Sequence, residues 1–226
     1  WGEEPNYSPV FIEQSLKNSF ERLGISNIYS VIFHSLKTFS IETIEAGFDY
    51  LIKCREKGQI EKIGLSLKSP LDLLLCNNIY QNLDIIEVNF NLLDLRVLDS
   101  RIQKVINEND IHVVTRTPFA FGFLTEEIDE NFHFHDSDHR KRWSSDQIRS
   151  WVSGRKELKK IFYRNGFEQP IQVLALAFCM SYDFVNYVIP GMMTKKEVDQ
   201  NLKAYEIESF SSKLIEELVE YGSNFT

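Results

Sequence analysis

The sequence predicts an α/β protein whose parallel sheet closes as a (β/α)8 TIM barrel, with an open doubly wound sheet as the alternative. Three observations lead there. Short β-branched and apolar runs alternate with amphipathic helical stretches along the chain, the order that builds parallel sheets. The runs are apolar nearly throughout, as in strands covered on both faces. No run is followed by a Gly-x-Gly-x-x-Gly turn, which weakens the open dinucleotide-binding sheet, whereas the Pro190-Gly191 turn after the last run falls where TIM barrels keep a phosphate site.

In chain order, strands are expected at 28–33, 62–67, 85–90, 112–115 and 185–189. After the first, Ile44, Phe48, Leu51 and Ile52 form an apolar stripe at helical spacing, with Ser40 as cap and Gly58 as stop. Ser69, Pro70 and Asp72 then give a helix start signal: a capping hydroxyl, Pro at the first helical position and an acid in the first turn. Leu98, Ile102, Val105 and Ile106 predict a helix ahead of the fourth strand. Pro170 opens the apolar helix 171–180, and Ser211 or Ser212 caps a final one ending near Gly222. Neither a repeat nor a low-complexity linker interrupts this order, so residues 1–226 read as one domain. A barrel needs eight strands. Five are expected here, which predicts that the first strand–helix units lie upstream of Trp1, a start without an initiator Met. Alone, the chain would leave open strand edges and bare apolar faces, and further residues or a partner chain are expected to cover them.

The segment from Val188 to Leu202 carries the most chemistry. Val188 and Ile189 end an apolar run, Pro190 and Gly191 break it, and Thr194 with Glu197 forms a Thr-x-x-Glu capping box. A helix starting there points free N–H groups and its positive dipole end at whatever lies above the strand, a natural seat for a phosphate. Glu197, Gln200 and Asn201 fall on one face of it.

Composition narrows the partners. The net charge of −8 argues against a protein that binds nucleic acid by neutralising phosphates. No run approaches the roughly 18 apolar residues of a membrane span. Cys54, Cys76 and Cys179 are odd in number and set in apolar sequence, so they read as reduced core thiols of a cytoplasmic protein, and no signal peptide is visible.

Five motifs in order resemble the aldo-keto reductases across essentially the whole chain. Ser15 to Gly24 followed by Ile32-Phe33-His34 is similar to the family's third helix and fourth strand, and Glu42 to Ala46 with Lys57 to Ser66 to its fourth helix and fifth strand. Asn89 to Asp94, Arg116 to Phe119 with Gly122 to Thr125, and the Ile-Pro-Gly turn with Gln200-Asn201 resemble its sixth strand, the loop after its seventh and its last strand and helix. The resemblance implies NADP- or NAD-dependent reduction of a small carbonyl substrate, with homo-oligomerisation left open. Lys195 and Lys196 lean the choice to NADP, although Met193 and Glu197 stand where basic residues are common.

It also implies roles. A lone His ending an apolar strand is ordinarily a core residue, but the resemblance makes His34 the catalytic donor to the substrate carbonyl. The tetrad's Asp, Tyr and Lys match no position here. The implied cofactor site comprises Ser66, Glu87, Arg116, Thr117, Pro118, Phe119, Gly122, Gly191, Met192, Met193, Thr194, Glu197, Gln200 and Asn201. Two positions depart from the pattern: Leu67 replaces an Asn, and Glu87 replaces a Gln, so it accepts but cannot donate. Arg116 stands where an aromatic ring often stacks on the nicotinamide.

The cluster from His133 to Trp143 gathers three histidines and two aspartates without the spacing of a zinc motif, so no metal is expected. It reads as a lid over the ligand, with Arg142 and Trp143 the contacting residues. The alternatives are a non-catalytic nucleotide-binding scaffold or regulatory subunit, and another phosphate-binding barrel such as an aldolase or isomerase.

Overall fold

A computed structural model of the chain describes residues 6–34 and 41–225, the first three of the latter by backbone alone. The expected cap Ser40, and the expectation drawn from Trp1, fall outside the described residues. Contacts divide the chain into two compact units, one of residues 1–88 with 99–114, the other of 89–98 with 115–226.

The first unit begins with α1 (Pro9–Leu23), earlier than its motif suggests. Ser8 caps it by accepting from Phe11 N–H, Pro9 sits at the first position, and Gly24 closes it in the left-handed region at φ 66°. Then follow β1 (Ile28–Phe33), α2 (Ile41–Glu56), β2 (Ile60–Ser66) and β3 (Ile85–Asn89), whose last residue belongs to the other unit. β1 pairs with β2 and β2 with β3, both in parallel. The register sets Gly64 beside Ile85 and Ser66 beside Glu87. Gly64 permits this closeness, because a Cβ there would stand 2.9 Å from the Ile85 carbonyl oxygen.

Between β2 and β3 the expected helix is replaced by two 3-10 turns, Pro70–Leu75 and Asn77–Asn82. Ser69 and Asp72 do form the capping box. The buried residues Pro70, Leu73, Cys76 and Ile79 recur every third position. Three residues per turn put them in one row, which a 3.6-residue helix would not. α3 (Ser100–Glu108) is capped by Asp99, buries Ile102 and Ile106, and leads into β4 (His112–Arg116). At the start of β4, His112 N–H donates to the Asp84 carbonyl over 2.9 Å.

In the second unit, Phe90 N–H donates to the Arg116 carbonyl over 3.3 Å, so the ends of β3 and β4 also run side by side. α4 (Ser145–Arg164) follows, then α5 (Ile171–Met180), β5 (Val185–Ile189), α6 (Lys195–Leu202) and α7 (Ser212–Gly222). Ser211, not Ser212, caps α7. Eight of the ten residues of α5 are buried, and the Cys179 thiol reaches the Phe90 carbonyl over 3.3 Å. All three cysteines are free and buried, and burial pushes the Cys76 thiol up to about 12.

The strands hydrogen-bond in the order β1-β2-β3-β4-β5. The expectation of burial on both faces holds for β2 from Ile63 to Ser66, for β3 apart from the half-buried Glu87 and Asn89, and for the middle of β4. It does not hold at the two ends of that order, where Tyr29 is 46% exposed and Ile189 53%. End strands have one described neighbour each, so apolar composition there does not translate into cover. Among the described residues no helix is long and apolar enough to cross a membrane.

Helix α4 has no counterpart among the sequence expectations. Its inward residues Val152, Arg155, Leu158 and Phe162 keep a helical spacing, but the charged Arg155 interrupts the apolar pattern.

Candidate cofactor site

The loop after β4 carries unusual backbone. Thr117, Ala120 and Phe121 all lie at positive φ, 58°, 45° and 59°. Non-glycine residues held this way cost about 1–3 kcal/mol each and persist only when their surroundings over-determine them. Those surroundings come from the loop after β3. The Thr117 hydroxyl donates to Asn89 Oδ1 over 3.1 Å, and Asn91 Nδ2 donates to the Thr117 carbonyl over 2.9 Å. Asn91 is itself fixed, since its Oδ1 accepts from Leu93 N–H over 2.9 Å. Phe119 is anchored against Val173, Leu176, Ala177 and Ala204. Gly122, at φ 99°, turns the chain where a Cβ would stand 2.9 Å from Ile128 Cδ1.

Two arginines hold the remainder of this loop. Buried Arg155 donates from Nη1 to the Ile128 carbonyl over 2.6 Å, and also to the carbonyls of Thr125 and Phe123. Arg140 forms a two-point pair with Asp138, Nε to Oδ1 at 3.0 Å and Nη2 to Oδ2 at 2.7 Å, and donates from Nη1 to the Phe121 carbonyl over 3.1 Å. Those bonds hold the Asp138 carboxyl down to about 2.

Opposite this loop in the same unit stands the start of α6. The Thr194 hydroxyl accepts from Glu197 N–H over 3.2 Å, which fixes the helix start as the sequence predicts. Glu197 Oε2 in turn accepts from the N–H groups of Met193 and Thr194, 2.7 Å each, and from the Thr194 hydroxyl at 3.0 Å. These donors, the Met193 amide first, hold the Glu197 carboxyl below the usual carboxylate range. Two of the amides expected to receive a phosphate are therefore already occupied by a side chain of this chain.

Loop and turn together wall a cavity of about 450 Å³. It brings together Thr117, Pro118, Phe119, Gly122, Gly191, Met192, Met193 and Glu197 from the expected site. It adds Phe121, Thr125, Glu127, Ile128, Phe132 and Arg140, which sequence reasoning missed. Arg140, rather than Arg142 or Trp143, is the basic or aromatic residue of the His133–Trp143 cluster at this cavity; the Asp138-x-Arg140 spacing was the available signal. Trp143 instead packs on Phe121, Phe123 and Trp151 at centroid distances of 5.0, 5.4 and 5.0 Å, and Arg142 covers the Trp143 ring at 4.9 Å.

Asn201 lies elsewhere. It is buried, donates from Nδ2 to the Gly191 carbonyl over 3.3 Å and lines a second cavity of about 540 Å³. Its observed work is to pin the turn. Gln200 is half-buried and lines neither cavity.

In the first unit, Ser66 is buried and donates to Glu87 Oε1 over 3.4 Å, while Leu67 N–H donates to the Glu87 carbonyl over 2.9 Å. The pair is a hydroxyl and an acceptor-only carboxylate side by side, suited to a carboxamide NH₂. His34 follows β1 directly and is exposed, and its carbonyl accepts from the Tyr7 hydroxyl over 2.8 Å. Arg116 ends β4 and is half-buried. Among the described residues no group of three His, Cys, Asp or Glu side chains is placed to hold a metal ion.

The chain matches the model of the aldo/keto reductase family over residues 2–222. The NADP(+) aldo-keto reductase yakc of Schizosaccharomyces pombe is 29% identical over 225 residues, an alignment that covers 97% of this chain and 64% of that protein. Among solved structures, a glycerol dehydrogenase from Gluconobacter oxydans superposes with a TM-score of 0.76 at 17% identity, over all of this chain and 69% of the other. The holo form of an aldo-keto reductase from Bacillus halodurans gives 0.68 at 20% identity, covering 98% and 69%. The fold is thus the TIM-barrel type of these proteins, and the chain spans 64% of the length of the curated relative it matches.

Proposed function

The chain belongs to the aldo/keto reductase family, and from that premise we propose that it binds a nicotinamide dinucleotide and serves the reduction of an aldehyde, ketone or sugar carbonyl. The observation that carries this reading is the cavity between the Thr117–Gly122 loop and the Gly191–Glu197 turn, which gathers eight of the expected cofactor residues in one place. Its residues fit the nucleotide half of such a molecule. Phe121 and Phe132 offer ring faces, Arg140 a cation and the loop a strained, pre-formed backbone.

When bound, the dinucleotide supplies the hydride. The chain's own residues bind and orient. Ser66 and Glu87 offer an acceptor set for the carboxamide, and in the second unit Thr117 to Phe119 shape a wall of the nucleotide cavity. His34 provides the hydrogen bond to the substrate oxygen, where negative charge grows as the carbonyl is reduced. One barrel domain over residues 1–226 is part of this proposal, supported by a single family match from residue 2 to 222. Three free buried cysteines support a reducing compartment, the cytoplasm. NADP is named for the yeast relative, which supports NADP or NAD as the cofactor here.

Fluorescence titration of the purified protein with NADH and NADPH, followed by turnover on a panel of aldehydes and ketones, tests the proposal. Binding of at least one dinucleotide and reduction of at least one carbonyl are expected. His34→Ala should lower turnover by ~100-fold or more with affinity for the dinucleotide nearly unchanged. Binding without turnover favours the non-catalytic scaffold. Binding of neither dinucleotide defeats the proposal.

A further inference from the structure

We propose that the second unit carries a further ligand site, separate from the dinucleotide cavity, that takes a neutral polyhydroxylated molecule, a sugar or a polyol. The site is a cavity of about 250 Å³ walled by the end of β3 and the loop after it, the loop after β4, helix α4 and the residues that follow α7. All of its lining belongs to the second unit, and it shares only Phe121 with the dinucleotide cavity. Its volume is below the ~300–1,000 Å³ of sites for drug-sized ligands, which limits the occupant to about one sugar ring. Three aromatic side chains stand around it, Phe121, Trp151 and Phe225. Rings free to do so pack on one another and hide their faces. Among the described residues no ring contact joins these three. Each packs instead on a ring outside the lining, Phe121 on Trp143, Trp151 on Phe123 and Trp143, Phe225 on Tyr221. Phe225 is further seated by Gly154, where a Cβ would stand 2.5 Å from its Cζ.

The polar part of the lining supplies both kinds of group that a hydroxyl needs. Asn89 Oδ1 accepts from the Thr117 hydroxyl over 3.1 Å, while among the described residues its Nδ2 has no partner and is not buried away from solvent. The Trp151 indole N–H is likewise without a hydrogen-bond partner among the described residues and accessible. Asp94 is paired at two points with Arg96, Nε to Oδ1 at 2.8 Å and Nη2 to Oδ2 at 2.6 Å, and its oxygens keep further lone pairs. Ligand hydroxyls would accept from the two free donors and donate to the carboxylate. Asp94 and Arg96 are the ionisable groups of the lining, and they neutralise each other, so the site favours an uncharged ligand over a phosphorylated one. The C–H faces of such a ligand are weakly positive and lie well on the negative face of an aromatic ring. Rings, planar donors and a self-neutralised ion pair around one small cavity are the chemistry that recognises a sugar or polyol.

Calorimetric titration of the purified protein with sorbitol, xylose and sorbitol phosphate, each without dinucleotide, tests this. Sorbitol and xylose are expected to bind one to one in the millimolar range, and sorbitol phosphate about tenfold more weakly. Asn89→Asp keeps the acceptor for Thr117 but replaces the free donor by a second carboxylate, and should weaken sorbitol binding about tenfold. Trp151→Phe keeps a ring against Phe123 and Trp143 but loses the N–H, and should weaken it about fivefold. Melting curves establish that each variant is folded, and where one is not the other decides. Reduction of xylose in the presence of NADH or NADPH, with turnover falling in the same variants, identifies the occupant as the carbonyl substrate; xylose bound but not reduced identifies it as a polyol that is not consumed. Absence of binding by sorbitol and xylose, tighter binding of sorbitol phosphate, or affinities unchanged in the folded variants would overturn the inference. Dinucleotide binding is read in a titration without sugar, so this inference and the nucleotide-binding reading fail separately.

Discussion

The two walls of the cavity are built on opposite principles. The turn from Gly191 to Glu197 is held by bonds that span three or four residues, Thr194 to Glu197 and Met193 to Glu197, with one longer tie from Asn201 to the Gly191 carbonyl. The loop from Thr117 to Ile128 is held from far along the chain, by Asn89, Asn91 and Arg155. It also keeps three non-glycine residues at positive φ. The first wall draws its cap from residues within one turn of each other, whereas the second exists only when distant elements are in place. Chemical precision at a site can therefore come from local preference or from tertiary constraint, and the two fail differently.

The sharpest way to break the comparison is to release the constrained wall. Arg155→Ala leaves three backbone carbonyls without their donor and should destabilise the protein by about 3 kcal/mol, with weaker dinucleotide binding in the variant that remains folded. Denaturant melts together with titration would show it, and a loss under about 0.5 kcal/mol would mean the loop holds its shape without Arg155. Next in size is Gly122→Ala. At φ 99°, with Ile128 Cδ1 2.9 Å from the added carbon, about 1–2 kcal/mol should be lost, and the dinucleotide should bind more weakly because the cavity wall shifts.

The local wall should give less. Thr194→Ala removes one cap and is expected to cost about 1 kcal/mol, while Thr194→Ser, which keeps the hydroxyl, should cost almost nothing. Thermal melts of the two variants separate the cap from the methyl group. The smallest effect is an acid one. The Asp138 carboxyl is depressed to about 2 in the folded protein from its ordinary 3.8, so its contribution is complete above pH ~4 and fades as pH falls towards about 2. Melting temperatures measured from pH 6 down to 2 should fall slightly less in Asp138→Asn than in the wild type over the last two units. Identical slopes would show that the Arg140 pair adds nothing to stability.

How far the sequence could be read follows the same division. The capping box at Thr194 rests on contiguous residues, α3 reads from the spacing of Ile102, Val105 and Ile106, and α5 from its own apolar run. α4 escaped because the residue that matters most in its inward row, Arg155, is charged, and its partners are carbonyls some thirty positions earlier. Arg140 escaped for a related reason: the Asp138-x-Arg140 spacing signals an ion pair, but not that this arginine folds back on Phe121 while Arg142 covers Trp143. The positive-φ residues were invisible, because Thr, Ala and Phe carry no preference for that region. The pairing of Ser66 with Glu87 depended on a strand register that becomes apparent only with the sheet.

The row of buried residues at Pro70, Leu73, Cys76 and Ile79 has a consequence for how this segment tolerates change in length. A 3-10 turn repeats every three residues, so each residue added or removed swings everything beyond it by about 120°. One extra residue between Leu73 and Cys76 would carry Cys76 and Ile79 from the interior to the flank of the turn, whereas three extra residues would return them to their row, displaced along it by about 6 Å. The segment counts in threes, and lengthening or shortening it by any other number changes which side of it is wet.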